Sequence, residues 1–225
     1  MILFTNGCSY TWGSGLKFNN NDERLRLVWP HHLGNKLNAS KVINLAIGCG
    51  SNQRIIRTTY DWFFNEYDGN ENVIAFIQMT DPSRYEFYDT DDFHDLSNDP
   101  YKWVKVKANA VVRGYNAEFD AATIRKTQER FCFFTKIEEI YSQIRDCAAL
   151  SHLSSIFPVK FYFYGFTAYG QHDIKQNQIL QSLNYNNIFH SFDKVSATDH
   201  HLSVSGHKQM AEYLYHEIIV PSTNP

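Results

Sequence analysis

A serine hydroxyl, an imidazole and a carboxylate are the groups in this sequence whose setting suits nucleophilic chemistry. Ser9 lies in the opening stretch MILFTNGCSYTWGSG, where an apolar run leads into Asn6-Gly7-Cys8-Ser9. An alcohol is a weak nucleophile at neutral pH until a base lies within hydrogen-bond reach. That base is best supplied by a histidine whose far nitrogen is held by a carboxylate. The stretch Thr198-Asp199-His200-His201-Leu202-Ser203-Val204-Ser205-Gly206-His207 offers both. Asp199 and His201 are two residues apart, so in an extended segment they share a face and His200 points the other way. Attack on a carbonyl creates an oxyanion, which needs preorganised N–H donors. Glycine-rich turns at helix starts supply them, and there are two, Gly7-Cys8-Ser9 and Gly48-Cys49-Gly50.

The same side chains have plainer roles. Ser9 alone is an ordinary turn serine, and His201 alone a surface or capping histidine. His200, His201 and His207 with Asp199 are also types that bind a transition metal. Neither Cys nor Glu joins them nearby and His207 falls in the last helix, so neither metal nor cofactor is expected. Cys8 is expected to pack beneath the turn that carries Ser9.

The elements that must position these groups alternate in kind. Strands are expected at Ile2 to Thr5, Lys41 to Ala46, Val73 to Ile77, Lys160 to Tyr164 and, more weakly, Ile188 to Phe192. A helix follows the second, capped by Ser51 or Asn52 and stopping near Asp68-Gly69. Another covers about Thr123 to Leu150, and a last one runs from Ser205 to Ile219. Residues 85–120 read as an acidic, aromatic insertion with a strand around Trp103 to Val112. Such alternation predicts one α/β domain over residues 1–225, a flavodoxin-like three-layer α/β/α sandwich with about five parallel strands. Ligands then bind beyond the carboxyl ends of the strands. The loops there hold Ser9, Cys49-Gly50 and Thr80, and convergence of the Asp199 to His201 loop on the same edge is the required expectation.

Composition limits the partners. A net charge of −3 gives no electrostatic case for nucleic acid or an anionic membrane. No run is long enough to span a membrane, and the short apolar start lacks a basic n-region, so the default compartment is cytoplasmic. Four dispersed cysteines without a CxxC pair point to free thiols.

Four stretches in register, GCSYTWGSG, NLAIGCGSNQRIIR, FIQMTDPSRYE and DHHLSVSGHKQMAEYL, resemble the SGNH (GDSL-type) hydrolases. The resemblance implies an SGNH-like fold, Ser9 as nucleophile, Asp199 and His201 as its triad partners, and an oxyanion hole from Ser9, Cys49, Gly50 and Thr80. Cys8 stands where the family usually has Asp, Cys49 where it has Gly, and Thr80 where it has Asn. Asp199 and His201 are one residue closer than the usual Asp-x-x-His. Tyr10, Trp12 and Arg84 are candidate substrate contacts, with one of the two aromatics expected in the core and Arg84 also able to brace its loop against Glu86.

The expected activity is hydrolysis of a carboxylic ester through an acyl-enzyme, the resemblance suggesting an O-acetyl group on a glycan. Two alternatives stand beside it. One is a weak or silent module that binds a glycan or a protein. The other is a metal-assisted hydrolase using His200, His201 and His207.

Overall fold

A computed structural model describes residues 1–80, 84–88, 103–107, 136–166, 178–188 and 191–220. The strands are β1 (Ile2–Asn6), β2 (Lys41–Asn44), β3 (Val73–Gln78), β4 (Arg84–Tyr88), β5 (Trp103–Lys107), β6 (Val159–Phe166) and β7 (Tyr185–Ile188). The helices are α1 (Ser9–Trp12), α2 (Asn21–Leu27), α3 (Trp29–Lys36), α4 (Asn52–Asn65), α5 (Lys136–Ser151), α6 (Gln178–Ser182) and α7 (Val204–Tyr213), the last continuing as a π-helix over Leu214–Ile219.

Five strands form one parallel sheet in the order β2-β1-β3-β6-β7. Strand alternation divides its side chains between two cores. On one face Ile2, Phe4, Val73, Ala75, Ile77, Phe161 and Phe163 pack with Ile55, Trp62 and Phe63 of α4 and Cys147 and Leu150 of α5. On the other, Leu3, Phe76, Tyr162 and Tyr164 pack with Trp29 and Leu33 of α3 and Met210 and Ala211 of α7. The expected three-layer α/β/α sandwich is therefore observed.

From β1 the chain steps to β2 on one side and returns to β3 on the other, which makes the β1/β3 boundary the switch point where this topology opens a crevice. The register pairs Asn6 with Ile77 and Gln78 with Tyr164, so the carboxyl ends of β1, β3 and β6 finish together.

Several boundaries differ from expectation. The fifth strand is Tyr185–Ile188, earlier than Ile188 to Phe192, because Tyr185 pairs with Phe163 and buries its ring. Its two central asparagines conceal that pattern, while Phe192 is buried beyond the strand. β2 stops at Asn44, whose Oδ1 accepts the Ala46 N–H at 3.1 Å and turns the chain. Ser51 caps α4 by accepting the Arg54 N–H, and α4 ends at Asn65. The sequence reading missed α2 and α3. The first has an Asn20 cap bonded to the Glu23 N–H, and the second carries Pro30 in its first turn. Of the 85–120 insertion, only the antiparallel pair β4 and β5 lies within the described residues. The start of the helix expected from Thr123 lies outside them. Among the described residues no helix is long and apolar enough to cross a membrane.

The start of α7 sets where the preceding loop lies. Ser203 caps it by accepting the Gly206 N–H at 3.1 Å. The Asp193 carbonyl accepts the Ser203 N–H at 2.9 Å and lies so close that a Cβ at Gly206 would fall 2.0 Å from it. Gly206→Ala is expected to destabilise the fold by about 1–3 kcal/mol, the range for overpacking. Urea unfolding checks this, and an unchanged midpoint would show that the loop has slack.

Candidate active site

The turn after β1 is built by carboxamides. Asn6 Oδ1 accepts the Gly7 N–H at 2.8 Å. Its Nδ2 lies within hydrogen-bond distance of the Ile55 carbonyl and the Thr58 and Thr59 hydroxyls of α4. At the end of β3, Gln78 Oε1 accepts from Cys8 N, Thr11 N and Thr11 Oγ1 at 3.3, 3.2 and 2.7 Å. Gln78 Nε2 donates to Cys8 Sγ at 3.1 Å. Since the Thr11 hydroxyl donates to Gln78, the Tyr164 hydroxyl 2.8 Å away donates to Thr11, and burial holds Tyr164 well above the ordinary phenol range.

Ser9 opens α1, 8% exposed, with Cys8 in extended conformation before it. The Ser9 carbonyl accepts the Gly13 and Ser14 N–H groups, and the Ser9 N–H has no partner among the described residues. In the second loop, Cys49 takes the left-handed conformation at φ 66°. The Gly50 N–H closes a turn on the Ile47 carbonyl at 3.3 Å, and a Cβ at Gly50 would lie 2.9 Å from the Gly7 carbonyl. Gly50 thus lets the first two loops approach. In the third loop buried Thr80 is clamped by Asn52, whose Oδ1 accepts the Thr80 N–H at 2.8 Å and whose Nδ2 donates to the Thr80 carbonyl at 3.3 Å.

The fourth loop brings the histidine. Asp199 Oδ1 accepts from His201 Nδ1 at 2.7 Å and from the His201 backbone N–H at 3.1 Å. The backbone hydrogen bond, then the side-chain one, hold the Asp199 carboxyl below the usual carboxylate range. With Nδ1–H donating to Asp199, neutral His201 presents Nε2 as its acceptor. Both side chains are partly open to solvent, at 33% for His201 and 38% for Asp199, whereas His200 is exposed.

The loop lies on the first one. The His201 and Tyr10 rings are 5.2 Å apart, and Asp199 Oδ2 lies 2.7 Å from where a Cβ at Gly15 would be. Gly15 has φ 83°, so it meets both a conformational and a steric demand for glycine. Among the described residues, Ser9 Oγ contacts Cys8 Sγ at 3.9 Å and makes no hydrogen bond to His201.

The other expected residues separate. Trp12 lies beneath the Arg24 guanidinium at 4.7 Å and against Phe18, so it braces α1 and α2 while Tyr10 is the aromatic beside the histidine. Arg84, half-buried, opens β4, and the Glu86 side chain lies outside the described residues. His207 departs from the proposed metal cluster. It is buried, its Nδ1 accepts the Trp29 N–H at 3.2 Å, and its proton therefore sits on Nε2. Burial first, then His32 and His201, push its pKa down to about 3. Among the described residues no group of three His, Cys, Asp or Glu is placed to hold a metal. The sequence reading missed Asn6, Asn52 and Gln78. Their one signal was a carboxamide at the end of an apolar run or the start of a helix.

The profile of a family of unknown function (DUF6071) matches residues 17–114. No curated protein matches the chain. Among solved structures, TesA is similar with a TM-score of 0.53 and 10% identity over 98% of this chain and 99% of that one. A protein from Bacteroides ovatus assigned as a GDSL-like lipase gives 0.51 and 15%, over 98% of both. A carbohydrate esterase, described as having divergent catalytic and non-catalytic binding functions in its active site, gives 0.51 and 12% over 97% of this chain and 64% of that one. The fold is that of the SGNH (GDSL-type) hydrolases. In this SGNH fold the Ser9, Cys49 and Thr80 loops and the Asp199 loop all meet at one edge of the sheet.

His207 gives this chain a testable acid sensitivity. Its folded pKa lies below the ordinary value near 6.5, so below that pH the unfolded chain takes up a proton that folded His207 refuses. The stability it contributes is complete above about pH 6.5 and is lost as pH falls towards 3. His207→Gln should flatten the stability profile between these limits by up to about 1.4 kcal/mol per pH unit. Urea unfolding over a pH series measures it, and parallel wild-type and variant profiles would contradict the assignment.

Proposed function

We propose that this chain is a serine esterase that cleaves a carboxylic ester through an acyl-enzyme. The observation that carries the proposal is the 2.7 Å Asp199–His201 hydrogen bond on a loop seated against the residue next to Ser9. Ser9 Oγ attacks the ester carbonyl while His201 Nε2 takes its proton. The proton then passes to the departing alcohol, leaving Ser9 acylated. Water, activated by the same imidazole, releases the acid and restores Ser9. Asp199 fixes the tautomer and offsets the imidazolium charge. The Ser9 and Cys49 N–H groups and the Thr80 hydroxyl are the proposed oxyanion donors. Gly50, its own N–H engaged with Ile47, keeps the loops close. Tyr10 flanks the imidazole as a wall for the acyl or alcohol group. The reaction requires a hydrogen bond from Ser9 Oγ to His201 Nε2 that forms in the substrate complex, where catalytic hydrogen bonds often tighten.

A small acyl group on a glycan is the proposed substrate class, supported by the similarity in fold to a carbohydrate esterase. One observation favours a second reading, a module that binds such a ligand without turnover: Ser9 and His201 are not hydrogen-bonded.

Turnover of p-nitrophenyl acetate and of an acetylated xylan decides between them. Ser9→Ala should lose on the order of 10³-fold or more in kcat while remaining folded, the scale known for removal of a triad serine. Equal turnover by wild type and Ser9→Ala would overturn the serine mechanism. Binding of the glycan without turnover would establish the second reading.

A further inference from the structure

We propose that Gln78 is a positioning residue for Ser9, acting through the Cys8 thiol; this rests on the serine esterase reading. Gln78 is 2% exposed and Cys8 3%, so their contact is shielded from water. The carboxamide orientation is set by its partners. Three donors converge on Oε1, which forces the amide nitrogen towards Cys8 Sγ at 3.1 Å. Sγ in turn is the contact of Ser9 Oγ, at 3.9 Å. The chain Gln78 Nε2–H to Sγ to Oγ restrains the thiol rotamer, and the thiol restrains the hydroxyl that must face His201.

The two atoms of the carboxamide have different tasks. Oε1 satisfies backbone and hydroxyl donors of the turn and belongs to folding. Nε2 touches Cys8 Sγ, so removing this donor leaves the framework its acceptor. Gln78→Glu, assayed at a pH where its carboxyl is ionised, makes that change at nearly constant shape, since both carboxylate oxygens then accept and neither donates, at the cost of burying a charge. It is a sharper probe than Gln78→Ala, which would orphan the buried Cys8 and Thr11 N–H groups.

The test is a double-mutant cycle on p-nitrophenyl acetate turnover with Gln78→Glu, Cys8→Ala and their combination. Gln78→Glu should lower kcat about tenfold with KM within about twofold, as expected of a group acting on the nucleophile after binding. In the Cys8→Ala background the same change should cost less than about twofold, because its route to Ser9 is gone. Wild-type kcat in Gln78→Glu, a change confined to KM, or an equal factor in both backgrounds would overturn the proposal. If Gln78→Glu does not fold, Cys8→Ala alone must reproduce the loss in kcat, and wild-type kcat in that variant overturns it. Ser9→Ala, run alongside, separates the two ideas. Wild-type turnover there defeats the serine reading and this inference together, whereas its loss with an unaffected Gln78→Glu defeats only the inference.

Discussion

The hydrogen bond from Trp29 N–H to His207 Nδ1 joins positions 178 residues apart, and the histidine loop depends on it. Trp29 is fixed by the sheet, its ring 6.1 Å from Phe76 and 6.0 Å from Tyr164 in edge-on contact. Its N–H therefore points from a rigid site. The imidazole that accepts it is fully buried and cannot follow solvent. Once α7 is docked this way, the loop from Asp193 to Leu202 has little freedom. Its ends are tied by the Lys194–Leu202 bridge and, one residue further in, by the Val195 N–H to the His201 carbonyl at 2.8 Å. The Asp199–His201 pair is thus delivered to the first loop by packing elsewhere, and its own exposed hydrogen bond need not hold it there.

The other loops at this edge are held by neutral amides. Asn6, Asn52 and Gln78 are buried, and Asn44, half-buried, donates to the Thr11 carbonyl at 3.2 Å. Each has a donor and an acceptor, so it can satisfy backbone groups of both kinds left open where strands end. A charged side chain in the same place would need a counter-ion and would carry a large desolvation cost. The framework is accordingly insensitive to protonation. Acid acts instead on the loop and helix that carry Asp199 and His207, whose pKa values are both held down.

This division explains what was legible in the sequence. The central strands could be read because burial on both faces leaves an uninterrupted apolar run, as in Val73 to Ile77. The Asp199–His201 pairing could be read because a two-residue spacing is a local property. Gln78 could not, because its meaning comes from residues 67 and 70 positions away. The same holds for His207, which looks like a member of a histidine cluster until its partner at Trp29 is known. The short helices α2 and α3 were missed since seven or eight residues scarcely establish a period, and β7 because an edge strand with two polar central residues lacks the apolar signature.

The departures from the family pattern bear differently on the proposed oxyanion site. A non-glycine residue in the left-handed region costs about 1–2 kcal/mol, yet Cys49 stays there at φ 66°. The loop therefore imposes a conformation that a glycine would adopt without that cost. The same argument holds at Thr80, whose N–H and carbonyl are both gripped by Asn52 at the start of α4. In the proposed mechanism a threonine hydroxyl at this place, shorter than an asparagine amide, leaves more of the oxyanion charge to backbone donors. The N–H of Ser9, without a partner among the described residues, is then the donor that needs no rearrangement. Under the proposed mechanism such a site has its electrostatic half preorganised, and the remaining adjustment falls to the imidazole, whose hydrogen bond to the Ser9 hydroxyl is the contact still to be made.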